Sequence, residues 1–173
     1  AMQMFSAVLE SRVPAVVDAD ALNLLSTHPE RRDNWVLTPH PGEAARLLAT
    51  TPAEVQADRP AAVAALVDRY GGVVVLKGSG TLVAASEQRM SVCDRGNPGM
   101  ASGGMGDVLT GVIAGLMAQR IDLWHAACLG VWVHASAADH AATGDGEIGL
   151  MATDLLPWIR RILNNEVRDS DRG

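Results

Sequence analysis

The chain has 173 residues, 48% hydrophobic and 20% charged, with a formal net charge of −6. That is enough chain for one sizeable core, and an acidic balance with no Lys/Arg-rich run argues against a nucleic-acid or anionic-membrane surface. No apolar run approaches the roughly 20 residues of a membrane span, the opening AMQMFSAVLE lacks the basic-then-apolar order of a signal peptide, and Cys93 and Cys128 have no metal-like spacing, so a reduced, cytoplasmic setting is expected.

PAVVDAD (14–20) is a short β-branched run ending in acids and reads as a buried strand. ALNLLST follows as a brief helix, stopped near His28 and Pro29. NWVLTPHPGEAARLLAT reads as a strand over 35–38, a loop stiffened by Pro39 and Pro41, and a helix over 42–49. Thr51, Pro52 and Glu54 open another helix, and a longer one over 61–70 begins at Pro60. GVVVLKG (72–78) is a further buried strand, and TLVAAS with RMSVCD a hairpin turning at Glu87 and Gln88. A helix is expected over 107–119, and a nearly wholly apolar one, buried on most sides, over 122–143. GDGEIGLMATDLLPWIRRIL reads as a glycine loop and a last helix interrupted or kinked near Pro157. Strands alternating with helices predict an α/β sheet covered by helices, one domain over 1–163 with a frayed polar tail over 164–173.

Five glycines fall between Gly99 and Gly111, in NPGMASGGMGDVLTG, ahead of a helix. Amides at a helix start have no intrahelical partner, and the macrodipole adds positive potential there. Glycines let that backbone approach a ligand, so Gly103, Gly104, Met105 and Gly106 form a candidate anion hole for phosphate. Asp107, in the first turn, could take the proton of a hydroxyl attacking phosphorus. A glycine turn with an Asp cap is the plainer alternative, but a cap alone does not need three glycines. No G-x-x-x-x-G-K-[ST] is present, and no G-x-G-x-x-G follows a strand here.

Thirteen of the fourteen basic residues are Arg; the one lysine, Lys77, ends a strand in LKGSGTLV. Lys77 near phosphates, with Thr81 giving a hydroxyl, would suit a nucleotide; an ordinary Gly-Ser-Gly hairpin is the equal alternative. In LTPHPGEAARLL, His40 is held between two prolines just past a strand, with Glu43 early in the next helix. Asp18, Asp20 and Asn23 end the first strand and would share that sheet edge, where open α/β sheets bind ligands. His28, His125, His134 and His140 share no ligand spacing and read as structural, as do the side chains of Met100, Met105 and Met117.

Taken together, DADALNLL, LTPHPGEAARLL, LKGSGTLVA, GNPGMASGGMGDVLTGVIAGLMAQ and GLMATDLLPWI resemble the ADP-dependent (S)-NAD(P)H-hydrate dehydratases of the ribokinase-like superfamily. In bacterial repair enzymes these form a C-terminal domain. The resemblance runs from Asp18 to about Ile159 and implies a three-layer α/β/α sandwich. It implies restoration of hydrated NADH or NADPH, with ADP consumed and AMP and phosphate released. By similarity, His40 and Asp107 would contact the hydrate, with Asp107 as base. Lys77, Gly78, Ser79, Gly80, Thr81 and Gly106 would bind the AMP part. Residues Gly103 to Gly106 would stabilise the transferring phosphoryl group, and Asn97 and Glu43 would help to hold magnesium.

Such domains carry an earlier section before VPAVVDADALNLL, so this chain is expected to lack the first strands and helices. Its partners are then that section or a fused epimerase domain, and further copies of itself, as in a tetramer. Two other functions fit the same residues. One is a thiazole- or hydroxymethylpyrimidine-type kinase, marked by a stable phosphorylated product; HPGE and the full glycine motif favour the dehydratase. The other is a fragment that binds nucleotide without turnover.

Overall fold

The computed structural model describes residues 2–164; most of the expected polar tail, residues 165–173, lies outside them. The elements in order are α1 (Met2–Ser11), β1 (Ala15–Val17), α2 (Ala19–Thr27), β2 (Trp35–Leu37), α3 (Pro41–Leu48), α4 (Pro52–Ala57), α5 (Arg59–Tyr70), β3 (Val73–Leu76), β4 (Thr81–Ala85), β5 (Ser91–Cys93), α6 (Met105–Ala118), α7 (Leu123–Asp145) and α8 (Leu155–Leu163). The five strands form one sheet in the order β1-β2-β3-β4-β5. β1, β2 and β3 run parallel, β4 runs antiparallel to β3, and β5 runs antiparallel to β4.

Alternate residues of each central strand enter different cores. Val74 and Leu76 of β3, with Trp35 and Leu37 of β2, pack on the α2, α3 and α5 side. Val73, Val75 and Val36 pack on the α6 and α7 side. A sheet covered on both faces needs apolar residues at both parities, which is why these strands read as continuous apolar runs. The result is the expected three-layer α/β/α sandwich. A third core joins α8 to α6 and α7. The large aromatics are anchored by their polar ends: Trp35 Nε1 donates to Tyr70 O (3.2 Å), and Tyr70 OH to Leu47 O (2.8 Å).

Three expectations need adjusting, for local reasons. The strand expected over 14–20 ends at Val17, because Asp18 becomes the N-cap of α2 and Ala19 turns the chain with φ 47°. The last helix is not interrupted at Pro157. It starts at Leu155 after a 3₁₀ turn (Ala152–Asp154), so Pro157 lies in the first turn, where its missing N–H costs nothing. The helix α7 is buried along most of its surface but leaves Leu129 and Trp132 exposed. α6 and α7 meet at close range: a Cβ on Gly130 would stand 2.6 Å from Ile113 Cγ1.

Candidate active site

The carboxyl ends of β1, β2 and β3 gather at one edge, and each strand is followed at once by polar residues: Asp18, then Thr38 and His40, then Lys77. Main-chain bonds tie these segments together. The Thr38 amide donates to Val17 O (3.1 Å), and the Lys77 amide to Pro39 O (2.9 Å).

The Lys77 ammonium donates to Asp18 Oδ1 at 2.7 Å and lies 3.9 Å from Glu43 Oε2. The Thr110 hydroxyl donates to Asp18 Oδ2 at 3.2 Å. Burial pushes the Asp18 carboxyl up. The Lys77 hydrogen bond and charge, the Ala19 amide and Thr38 outweigh that, and the carboxyl rests below its ordinary value. Asp18 stands at an N-cap yet makes no side-chain capping bond; its oxygens are committed to the site instead.

His40 and Glu43 form a capping box at the start of α3. The Gly42 amide donates to His40 Nδ1 (3.0 Å), which leaves the proton of a neutral ring on Nε2. Nε2 faces Glu43 Oε1 at 3.6 Å, while Glu43 Oε2 accepts the His40 amide at 2.8 Å. Glu43 is buried and His40 is half exposed, so one side of the ring is held and the other is free for a ligand.

Across from this edge, α6 follows Gly104, its N-cap residue, which has φ 86°. The first main-chain bond of the helix is from the Val108 amide to Gly104 O, and no side chain caps it. The amides of Met105, Gly106 and Asp107 therefore have no main-chain partner among the described residues, as an anion hole requires. Gly106 abuts the charge pair: a Cβ there would stand 3.3 Å from Asp18 Oδ2 and 3.4 Å from Lys77 Nζ. Asp107 is exposed in the first turn and makes no hydrogen bond or ion pair among the described residues.

A cavity of about 710 Å³ lies beside the pair. Residues 77–81 and 94–98 line it, with Met105, Gly106 and Leu109 from α6 and Val131, His134 and Ala135 from α7. Its size and largely apolar wall, with Lys77, Asp94 and Arg95 as its charged lining, suit a nucleotide. Thus Lys77, Gly78, Ser79, Gly80, Thr81, Met105, Gly106 and Asn97 share one cavity. His40, Glu43, Gly103, Gly104 and Asp107 lie outside its lining. The Thr81 hydroxyl donates within the loop, to Gly78 O (2.9 Å).

Asn97 and Glu43, the residues expected near magnesium, are each engaged by protein partners. Asn97 Oδ1 accepts the Gly99 amide, and its Nδ2 donates to Asp139 Oδ1. Glu43 is held by His40 and Lys77. Among the described residues no three His, Cys, Asp or Glu side chains group as metal ligands. Magnesium bound through phosphate oxygens needs few protein ligands, and no step below is routed through it.

Of the histidines read as structural, His140 stacks on Trp158 with ring centres 5.2 Å apart, and His125 pairs with Asp122 at 2.6 Å. His134 differs, because it lines the cavity. Burial is the main cause that brings its pKa down to about 4, with the Lys77 charge adding and the Met105 backbone opposing, so its ring is neutral near pH 7. The pairing of Asp18 with Lys77 and the place of His134 depend on long-range packing; only the end-of-strand position of Asp18 hinted at its part.

The model of the NAD(P)H-hydrate dehydratase family matches residues 1–161. The chain belongs to this family. It is 54% identical to the bifunctional NAD(P)H-hydrate repair enzyme of Coxiella burnetii, over 95% of this chain and 34% of that protein. It is 49% identical to the ADP-dependent (S)-NAD(P)H-hydrate dehydratase of Neisseria meningitidis serogroup B, over 85% of this chain and 53% of that one. The ADP/ATP-dependent NAD(P)H-hydrate dehydratase of Bacillus subtilis, crystallised with ATP/Mg2+ and soaked with CoA, superposes with a TM-score of 0.77 at 29% identity, covering 88% of this chain and 56% of that chain. The ribokinase-like fold is shared with solved relatives. The chain spans about a third of the length of the bifunctional relatives it matches. No helix among the described residues is long and apolar enough to cross a membrane.

Proposed function

We propose that the chain carries the nucleotide-dependent dehydration of (6S)-NAD(P)H hydrate, with ADP as phosphoryl donor. The observation that supports it most is the α6 amino terminus, its amides unpaired, set against the Lys77–Asp18 pair at the end of a nucleotide-sized cavity.

Hydroxide is a poor leaving group, so the hydrate's hydroxyl is first made into a phosphate ester. Asp107 takes the hydroxyl proton as the oxygen attacks the terminal phosphorus of ADP. The bridging P–O bond breaks and AMP leaves with its electron pair. The C–O bond of the ester then breaks, phosphate departs, and loss of a proton from the neighbouring ring carbon restores the double bond of NAD(P)H. In this reading the Met105 to Asp107 amides and Lys77 meet the charge on the transferring group, which is where phosphoryl transfer needs help. Residues 77–81 and Gly106 hold the AMP part, and His40 offers its free side to the hydrate. Magnesium belongs to the reading only as a companion of the nucleotide phosphates. The setting is cytoplasmic, and the chain works beside further polypeptide or further copies of itself, with Leu129 and Trp132 as candidate contacts.

The experiment mixes the chain with magnesium, ADP and hydrated NADH and follows the return of NADH absorbance. Return with the native chain and none with Asp107→Asn supports the dehydratase. A stable phosphorylated product without NADH would favour a kinase. ADP binding with no product of either kind would reduce the function to nucleotide binding.

A further inference from the structure

Arg59 belongs to none of the motifs above, yet its guanidinium makes three hydrogen bonds to main-chain carbonyls of the nucleotide loop. It is the first residue of α5, and its guanidinium reaches under the turn between β3 and β4. Nη2 donates to Leu76 O (3.1 Å) and Gly80 O (3.2 Å). Nη1 donates to Lys77 O (3.4 Å) and to Gln56 Oε1 (2.9 Å), which steadies the fork from its other side. The approach is close: a Cβ on Gly78 would stand 2.8 Å from Nη1, and Gly78 has φ 143°, a backbone shape that favours glycine.

A peptide's carbonyl and amide point opposite ways. Three carbonyls drawn onto one cation therefore turn the amides of the same peptides, those of Lys77, Gly78 and Thr81, away from it, and pin both ends of the turn that carries Ser79 and Gly80. The amides of Gly78, Ser79 and Gly80 make no hydrogen bond among the described residues, and these residues line the cavity. Successive free amides in such a turn form an anion-binding concavity.

We infer that Arg59 is a positioning residue for the nucleotide: it collects the Leu76, Lys77 and Gly80 carbonyls, so turns the Gly78 amide away from itself and pins both ends of the turn that presents the Ser79 and Gly80 amides and the Lys77 side chain to the cavity. Arg59 itself touches no nucleotide. Lysine cannot replace it fully, because one ammonium does not span carbonyls at both ends of the turn as a planar fork does. This role rests on the nucleotide-binding reading of the cavity.

The test uses the full chain and two variants, Arg59→Met and Arg59→Lys. Calorimetry with ADP, steady-state kinetics and amide hydrogen exchange are measured on each. Arg59→Met is expected to weaken ADP binding and raise the KM for ADP roughly tenfold, about the equivalent of one charge-assisted hydrogen bond, with kcat held within about twofold. Arg59→Lys should fall between Met and native. Exchange at residues 77–81 should quicken in Arg59→Met while β1, β2 and α7 keep native protection, which separates loosening of the loop from loss of fold. Native ADP affinity in Arg59→Met, or unchanged exchange over 77–81, overturns the inference, as does a fall in kcat with KM unmoved. If the native chain binds no ADP, the nucleotide reading falls and Arg59 loses its role toward it; the exchange experiment then decides separately whether Arg59 holds the loop.

Discussion

Lys77 and Asp18 share a 2.7 Å hydrogen bond across 59 residues of sequence, at the meeting point of three parallel strands and the start of α6. Both side chains are largely withdrawn from water. The energetics of such a pair lie in what happens when one member is removed.

Lys77→Met should cost about 2 kcal/mol of stability, less than the roughly 3–5 kcal/mol of a fully buried pair, since some water reaches both groups. The pH dependence should change sign. In the native chain the Asp18 carboxyl is held below its ordinary value of 3.8, so its contribution is present above that pH and is lost as pH falls through the lower folded value. Without the ammonium, burial prevails, the folded value rises, and the group then favours folding on the acid side. Urea unfolding from pH 3 to 6 reads the slope directly. Adding Asp18→Asn to Lys77→Met should restore much of the stability and none of the ADP affinity.

Asp107→Asn should separate chemistry from stability. Asp107 is exposed and unpaired among the described residues, so its loss removes only a carboxylate near a helix amino terminus, about 0.5 kcal/mol. Turnover should fall by roughly 10²–10⁴, the scale of a lost general base. Melting and NADH-return assays on the same sample make the comparison; a loss of activity matched by a large loss of stability would remove Asp107 from the role of base.

Two glycines of one helix should answer oppositely to alanine. At Gly111 nothing lies within 4 Å of a new Cβ, so Gly111→Ala should stabilise by about 0.5–1 kcal/mol through helix propensity. At Gly106 the same methyl meets Asp18 and Lys77 at 3.3 and 3.4 Å. Gly106→Ala should therefore gain less and should weaken ADP binding. Calorimetric melts and ADP titrations of the two variants, side by side, check both halves.

His134 should make the fold sensitive to mild acid. Its folded pKa of about 4 lies below the ordinary 6.5, so the unfolded chain binds the extra proton first. Stability is full above about pH 6.5 and falls as pH drops toward 4, by about 3 kcal/mol in total. His134→Gln should flatten that stretch of the stability profile, whatever it does to the plateau at neutral pH.

Much of the layering was legible in local pattern. The VVVL run at 73–76 is apolar at every position because both of its faces are covered, and Thr51 and Glu54 form the capping box their spacing predicts. The misread ends have small causes: Asp18 prefers the site to the strand, and Pro157 starts a helix rather than breaking one. Of the candidate site, Lys77, the glycine turn after it, His40 and the α6 start were visible as motifs. Arg59 was not, because its partners are main-chain carbonyls, which leave no trace in side-chain pattern. His134 was not, because its place on the cavity wall is decided by how α7 crosses α6.

That crossing has a mechanical meaning. Gly130 admits Ile113 so closely that α7 acts as a stop against which α6 is seated. Ile113 lies eight residues from the first residue of α6, about 12 Å along its axis. The aim of the unpaired amides at the start of α6 is thus set by an aliphatic contact two turns away, as a gun barrel is laid from its breech. A side chain at position 130 would tilt the barrel, and a substitution far from any ligand would then read, in a binding assay, as damage to the nucleotide site.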